Sequence, residues 1–257
     1  MKKIALLSMA IMIGLSCTQK KQELPKNADV FADNLNGRVE QIIETDFKTD
    51  STGKIGEQDS CCVILIKYND KGYITEYTTG NATGTEKNEE VFTHYDNGAM
   101  KTVNNTKNGK RVNSISIRLN NDGKFAGIEE SDYANKTNFY YSDISQNDYV
   151  QFTAFKKYSA DSALVSAMKS VYDKQIFKSS EMKDSKGKVI YSSAVKLDDK
   201  NNVIEKATTS VSNDSTTHEI IRYQYDSFDD KGNWTARTEM DERNKPIKIT
   251  KRQITYY

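Results

Sequence analysis

The side chains that could carry chemistry in this sequence are two histidines, several acidic pairs and a set of aromatic residues. His94 and His218 each lie in strand-like segments, without the clustered His, Cys or carboxylate ligands that a zinc site requires. Acidic pairs such as Asp198-Asp199 and Asp229-Asp230 fall in polar turns, where Asp has a conformational role. Neither a nucleophile elbow nor a phosphate-binding or dinucleotide-binding loop is present. We therefore predict no metal site and no cofactor, and the catalytic residues remain unknown.

Aromatic residues are the remaining candidates for a binding site. The chain contains 15 Tyr, 9 Phe and 1 Trp, and such rings provide a large contact area at low entropic cost. Five of them are candidates for a stacking platform that binds sugar rings or a peptide, namely Trp234, Tyr73, Tyr77, Tyr140 and Tyr141. The favoured interpretation is nevertheless that the core needs these rings, because the mean hydropathy is only −0.74.

A repeated polar turn organises the chain around these residues. Clear copies are Asn69-Asp70-Lys71-Gly72, Asn120-Asn121-Asp122-Gly123 and Asp229-Asp230-Lys231-Gly232. The Asn or Asp starts the reversal through hydrogen bonds to its own backbone, and the Gly accepts a positive φ before the next strand. Reversals about every dozen residues predict an antiparallel β-meander of hairpins. We therefore expect a mainly β fold built on an open or partly curled sheet.

One segment has helical rather than strand periodicity. Apolar residues recur at i, i+3, i+4, i+7 and i+8, namely Leu164, Ala167, Met168, Val171 and Tyr172. This spacing predicts an amphipathic helix near 160–174 that packs on the sheet. The same region, near 156–175, is where the β-repeat domain of residues 35–257 would divide if it consists of two subdomains.

The cysteines indicate little redox chemistry. Adjacent residues on a strand point to opposite faces, so Cys61 and Cys62 are interpreted as two small hydrophobic residues, one buried and one exposed. A strained vicinal disulfide or a reactive thiol remains as an alternative.

The N-terminus has the layout of an export signal. Lys2 and Lys3 precede an apolar run from Ile4 to Leu15, and Ser16 precedes Cys17. This run is too short to span a bilayer as a helix, which predicts a cleaved signal peptide over residues 1–16. The string Gly14-Leu15-Ser16-Cys17 resembles the lipobox of bacterial lipoproteins, and the resemblance implies lipidation of Cys17 and attachment to a membrane. Residues 17–34 are polar and aperiodic, and are predicted to be a flexible tether.

The turns also carry a family resemblance. The segment from Tyr223 to Arg237, with Tyr225-Asp226 and Asp230-Lys231-Gly232, resembles YD-type (Rhs-like) repeats and related repeats of uncharacterised lipoproteins from Bacteroidetes-like bacteria. The resemblance implies a β-repeat fold and an envelope location, and no activity.

Charge identifies no class of partner, because 37 Lys and Arg stand against 36 Asp and Glu. A nucleic-acid ligand is not expected, since such binders carry a clear basic excess. The sequence favours a lipid-anchored, non-enzymatic binding or assembly module of the cell envelope, at the outer membrane, acting on a glycan, peptide or protein partner. The alternatives are an envelope hydrolase whose carboxylates meet across strands and a carrier of a hydrophobic ligand.

Overall fold

The described part of the chain is a closed β-barrel. The computed structural model describes residues 23–50, 52–212 and 215–257, with residue 61 described by its backbone alone. These residues form one short helix and sixteen strands. The elements are α1 Asp29–Ala32, β1 Val39–Thr49, β2 Ile55–Tyr68, β3 Ile74–Gly80, β4 Lys87–His94, β5 Met100–Lys107, β6 Lys110–Leu119, β7 Phe125–Asp132, β8 Thr137–Gln146, β9 Phe152–Ser159, β10 Leu164–Asp173, β11 Ile176–Asp184, β12 Val189–Leu197, β13 Val203–Ser212, β14 Ser215–Phe228, β15 Trp234–Met240 and β16 Pro246–Tyr256.

Each strand pairs antiparallel with the next, and the last strand returns to the first. Ile42 on β1 lies opposite Ile66 on β2 and opposite Ile254 on β16. The prediction of an open or partly curled sheet is therefore wrong. Local turn signals specify neighbouring strands, whereas closure depends on pairing between β1 and β16, which lie at opposite ends of the strand sequence and have no short-range signature.

The hairpin turns have the chemistry expected from the sequence. At the β2–β3 turn the Gly72 N–H donates to the Asn69 carbonyl over 2.8 Å, and the Asn69 N–H donates to the Tyr73 carbonyl over 2.9 Å. The Asn69 side-chain oxygen accepts the N–H groups of Lys71 and Tyr73, and Gly72 has φ +79°. This is a type I turn closed by a glycine bulge. The same side-chain pattern recurs at Asn120, Asp184, Asp198, Asp229 and Asp241.

The helix predicted near 160–174 is wrong, because Leu164–Asp173 is strand β10. Met168 lies opposite both Phe155 on β9 and Met182 on β11, so both edges of the segment are hydrogen-bonded in the sheet. The helix-like spacing arises because apolar residues occupy both faces of this strand. Pairing on two sides outweighs the small differences in helix propensity. The sheet therefore runs without interruption through 156–175.

Two apolar clusters line the barrel near the end where β1 begins. One joins Val30 and Leu35, which precede β1, to Ile42, Tyr68 and Tyr73. The other lies on β5 to β9 and contains Ala99, Ile117, Phe125 and Ile128. Both clusters sit beside the hairpin turns of this end, so the apolar packing fixes the region where residues 24–36 meet the barrel.

Candidate functional site

Alternation along the strands separates a lumen face from an outer face. On β1 the side chains of Ile42, Glu44 and Asp46 are buried, and the residues between them are only partly so. Only the inside of a closed barrel can enclose charged side chains in this way, so the buried face is the lumen face. Residues directly opposite each other share a face. Following the pairings through all sixteen strands returns to β1 with the same assignment.

The lumen face of β1, β15 and β16 carries neighbouring ion pairs, which together we call the charge network. The Arg252 Nε lies 2.6 Å from Glu44 Oε1. The Lys248 Nζ bridges two carboxylates, at 3.0 Å from Asp46 Oδ2 and 3.3 Å from Glu239 Oε2. The Arg237 Nη2 lies 3.2 Å from Glu239 Oε1. The network thus comprises Glu44, Asp46, Arg237, Glu239, Lys248 and Arg252.

Burial and neighbouring carboxylates shift the pKa values of the basic side chains in the charge network. Burial lowers the pKa of Arg252, and the neighbouring Glu44 carboxylate opposes that shift. Burial also acts to lower the pKa of Lys248, but the hydrogen bond to Asp46 and the charge of Glu239 outweigh it and hold the pKa above its ordinary value. Charges removed from water are tolerated when they are paired, so both bases stay protonated.

Two guanidinium groups of this network lie over the ring of Trp234. The Arg252 Cζ lies 3.5 Å from the centre of the indole ring, and the Arg237 Cζ lies 4.5 Å from the same centre. Trp234 is only 6% exposed, so both cations are held against a buried ring, where cation–π attraction is strongest. The indole therefore orients the two arginines.

A second charged cluster lies on the lumen face of β7 to β9. The Lys157 Nζ lies 2.7 Å from Glu130 Oε2 and 4.0 Å from the centre of the Phe139 ring. The Tyr141 hydroxyl donates to the same Glu130 oxygen. Burial and this hydrogen bond raise the pKa of Tyr141. Charged and aromatic side chains thus line more than one part of the lumen wall.

Residues 24–36 close one end of the barrel, and we call them the cap. The cap lies across the hairpin turns at the end where β1 begins and β16 ends, which we call the rim. Its main-chain and side-chain groups bind turns around the ring: Val30 N to Gly72 O, Asn27 Nδ2 to Asn97 O, Gln175 Nε2 to Lys26 O, Asn34 Nδ2 to Lys200 O, and Asn36 with Asn233 in both directions. Residues 24–34 of the predicted tether are therefore in contact with the barrel, and residues 17–22 lie outside the described residues.

Asp33 brings a carboxyl group from the cap to the charge network. It lines a cavity together with Trp234, Arg237 and Arg252. Its Oδ2 accepts a hydrogen bond of 2.5 Å from the Tyr68 hydroxyl. Desolvation of the carboxyl group raises the pKa of Asp33 to about 6, although this hydrogen bond opposes the shift. Asp33 is consequently the group of the cap whose charge changes near neutral pH.

The structure places the predicted aromatic residues in four separate environments. Trp234 is held in the charge network. Tyr73 is buried at the rim, with its ring stacked 5.1 Å from that of His94. Tyr77 and Tyr141 face the lumen on β3 and β8. Tyr140 faces outward and stacks on Tyr158 at 5.4 Å. The five residues do not form one platform, and Cys17 lies outside the described residues.

Sequence reasoning did not identify the charge network. Glu44 and Asp46, Arg237 and Glu239, and Lys248 and Arg252 each share one face of a strand because they are two or four residues apart. Charged residues on alternate positions were the available signal. The signal is weak because strands facing water show the same alternation, and the strand pairing decides which face lies inside.

The contacts of the two histidines and of Cys62 are those of structural residues rather than of metal ligands. The His94 Nε2 lies 3.4 Å from Asp29 Oδ2 on the cap, and His218 is exposed on the outer face beside Thr209. Across the described ranges, no group of three His, Cys, Asp or Glu side chains could hold a metal ion. Cys62 is disulfide-bonded, so its interpretation as a free small hydrophobic residue is wrong. No helix within the described part of the chain is long and apolar enough to cross a membrane.

Comparison with known proteins identifies the fold and leaves the family open. No family model matches the chain, and no curated protein matches it. A porin-like protein from Bacteroides uniformis is 13% identical over 86% of this chain and 99% of that one, with a TM-score of 0.53. A porin-like protein from Bacteroides vulgatus is 11% identical over 85% and 98%, with a TM-score of 0.35. The Photorhabdus luminescens Tc holotoxin pore is 12% identical over 76% of this chain and 12% of that one, with a TM-score of 0.32. The first comparison shows a shared barrel fold, and the resemblance to YD-type repeats stays a prediction.

Proposed function

We propose that this protein is a non-enzymatic binding barrel of the cell envelope, which holds a small polar ligand in a lumen closed at one end by the cap. The observation that carries the proposal is the charge network, because its buried, ion-paired groups face the inside of a capped barrel. Ligand sites combine a concave surface with a few convergent polar groups and aromatic walls. A charged lumen suits a polar ligand better than the hydrophobic cargo considered above.

The lumen is accessible from the end opposite the cap. Toward that end, Thr217 and Glu219 lie on the lumen face of β14 and are exposed. At the capped end, the Asn233 side chain forms two hydrogen bonds with the backbone of Asn36 in the cap, and Val30 is completely buried. Entry of a ligand through the open end therefore requires no movement of the cap.

The charges on the outer face of the barrel suit contact with water rather than with lipid. Charged residues lie on the outer face of central strand positions, including Lys156, Lys169, Arg222 and Lys251. An Arg or Lys on the lipid face of a barrel costs about 2–4 kcal/mol at mid-membrane. Four such residues would cost on the order of 10 kcal/mol, which is comparable to the whole stability of a typical domain.

The predicted lipid on Cys17 gives this barrel an orientation. Residues 18–22 separate that cysteine from the described chain, and about 3.3–3.6 Å per residue limits their reach to roughly 20 Å. We propose that the capped end faces the membrane and the open end points away from it. The expected partner is a small glycan or peptide fragment that diffuses in the envelope.

A ligand screen on the purified protein tests the proposal. Thermal stability and Trp234 fluorescence are measured with sugars, sugar acids, amino acids and short peptides, since a ligand that binds only the folded state raises the melting temperature. Thr208→Arg places a long side chain on the lumen face, whereas Thr209→Arg places it on the outer face of the same strand. We expect the first variant to weaken binding and the second to leave it unchanged. Binding that is weakened only by Thr209→Arg, or no binding at all, would contradict the proposal.

A membrane pore is the second candidate, and the likeness to a porin-like protein favours it. A pore would need detergent to remain monodisperse and would produce conductance steps in a planar bilayer. We expect the protein lacking its lipid to remain monodisperse in buffer alone and to produce no such steps. Dependence on detergent together with steady conductance would favour the pore and reject the proposal of a binding barrel whose outer face contacts water.

A further inference from the structure

A cavity of about 190 Å³ lies between the cap and the lumen wall. The cap contributes Asp33 and Asn34, and the rim turn after β12 contributes Asn202. The wall contributes Tyr225, Arg237 and Arg252 from β14, β15 and β16. Its size suits a ligand no larger than a single sugar ring or a small organic acid.

Two guanidinium groups in this cavity keep unused donors. The Arg252 side chain is only 11% exposed and uses its Nε for Glu44. Arg237 uses its Nη2 for Glu239. The Arg252 Nη1 and the Arg237 Nε are buried, and neither has an acceptor among the described residues. Buried donors are expected to be satisfied, so both side chains have hydrogen-bonding capacity that the described protein atoms leave unused.

We propose that this cavity binds a small ligand through an oxyanion group, a carboxylate or a phosphate, held by Arg237 and Arg252. The inference rests on the proposed function, since it names the ligand class of the same lumen. Planar guanidinium groups match oxyanions because two N–H groups can point at two oxygens. Contact with the Trp234 ring fixes both groups before the ligand arrives, which lowers the entropic cost of binding.

The charge of Asp33 determines whether a substitution in the cap weakens or strengthens oxyanion binding. Its carboxyl group lines the cavity, and its surroundings include Tyr68, Asp29, Glu44 and Arg252. When ionised, Asp33 repels an incoming oxyanion, so removing its charge favours the ligand. A variant that binds more tightly cannot be explained by damage to the fold.

Isothermal titration of the purified protein tests the inference with acetate, D-glucuronate and inorganic phosphate, and with D-glucose as the uncharged arm. We expect saturable binding of at least one oxyanion and not of glucose. Carboxylate and phosphate arms identify the source of the oxyanion. Arg237→Lys keeps the charge beside Glu239 but removes the Nε donor, and we expect it to weaken binding at least about tenfold. Asp33→Asn is expected to tighten binding at pH 7.5.

The outcomes separate this inference from the proposed function. Binding of glucose or another neutral ligand without binding of any oxyanion overturns the oxyanion site and leaves the binding barrel standing. Unchanged oxyanion affinity in Arg237→Lys, in a protein with wild-type melting temperature, also overturns the site. A failure of every ligand in this set and in the wider screen rejects both.

Discussion

Replacing Arg252 by Met should destabilise the barrel strongly, because the change leaves Glu44 as an unpaired buried carboxylate. Both side chains are about one-tenth exposed and their atoms lie 2.6 Å apart. Removing one partner of a buried ion pair costs about 3–5 kcal/mol. At roughly 2–4 °C per kcal/mol for a domain of this size, the melting temperature should fall by about 6–20 °C.

The matched control is Lys196→Met, which breaks an ion pair on the outer face. Lys196 is 70% exposed in its pair with Glu205, so this change should cost at most about 1 kcal/mol. The double variant Glu44→Gln with Arg252→Met removes both charges and should recover most of the loss. What remains should be the lost contact with Trp234, on the order of 1–2 kcal/mol.

Urea unfolding followed by circular dichroism measures these differences, because the backbone signal does not depend on the surroundings of Trp234. The analysis requires a single cooperative transition in every variant. A loss below about 1 kcal/mol in Arg252→Met would mean that water already reaches Glu44. A double variant as unstable as the single one would show that the ion pair is not the source of the loss. Either result refutes the description of the charge network as buried and held by ion pairs.

Three further outcomes follow from the cap and the rim. Asp33→Asn should flatten the pH dependence of stability, because the folded-state pKa of about 6 lies above the ordinary value of 3.8. This group adds stability below pH 4 that is lost as the pH rises through 6, and melting curves from pH 4 to 8 will detect the change. Gly98→Ala should cost at least about 2 kcal/mol more than Gly109→Ala in urea unfolding, because both positions have positive φ but only at Gly98 would the new Cβ overlap the buried Tyr73 hydroxyl. Asn233→Ala should free the cap for limited proteolysis while leaving the barrel intact, since the side chain binds the backbone of the cap; cleavage at the wild-type rate would contradict this role.

The turns and most strands of this fold can be predicted from neighbouring residues in the sequence, whereas contacts between distant segments cannot. The Asx turns at Asn69 and Asp229 form because the residues that make them are adjacent, and the strands between such turns follow. Periodicity predicts a helix near 160–174 because it cannot register the two hydrogen-bonded neighbours of this segment. Glu44 and Arg252 meet only after the barrel closes, so nothing near either residue in the sequence indicates the pair.

Pairing of β1 with β16 also means that the sheet has no free edge anywhere in the described chain. Exposed edges are the places where β-proteins recruit other chains and aggregate. The native pairing stays incomplete until Thr250, Arg252 and Ile254 are available to β1, so a chain without β16 presents two unpaired edges at once, one on β1 and one on β15. Loss of β16 should therefore convert a closed sheet into one that can pair with other chains at both ends.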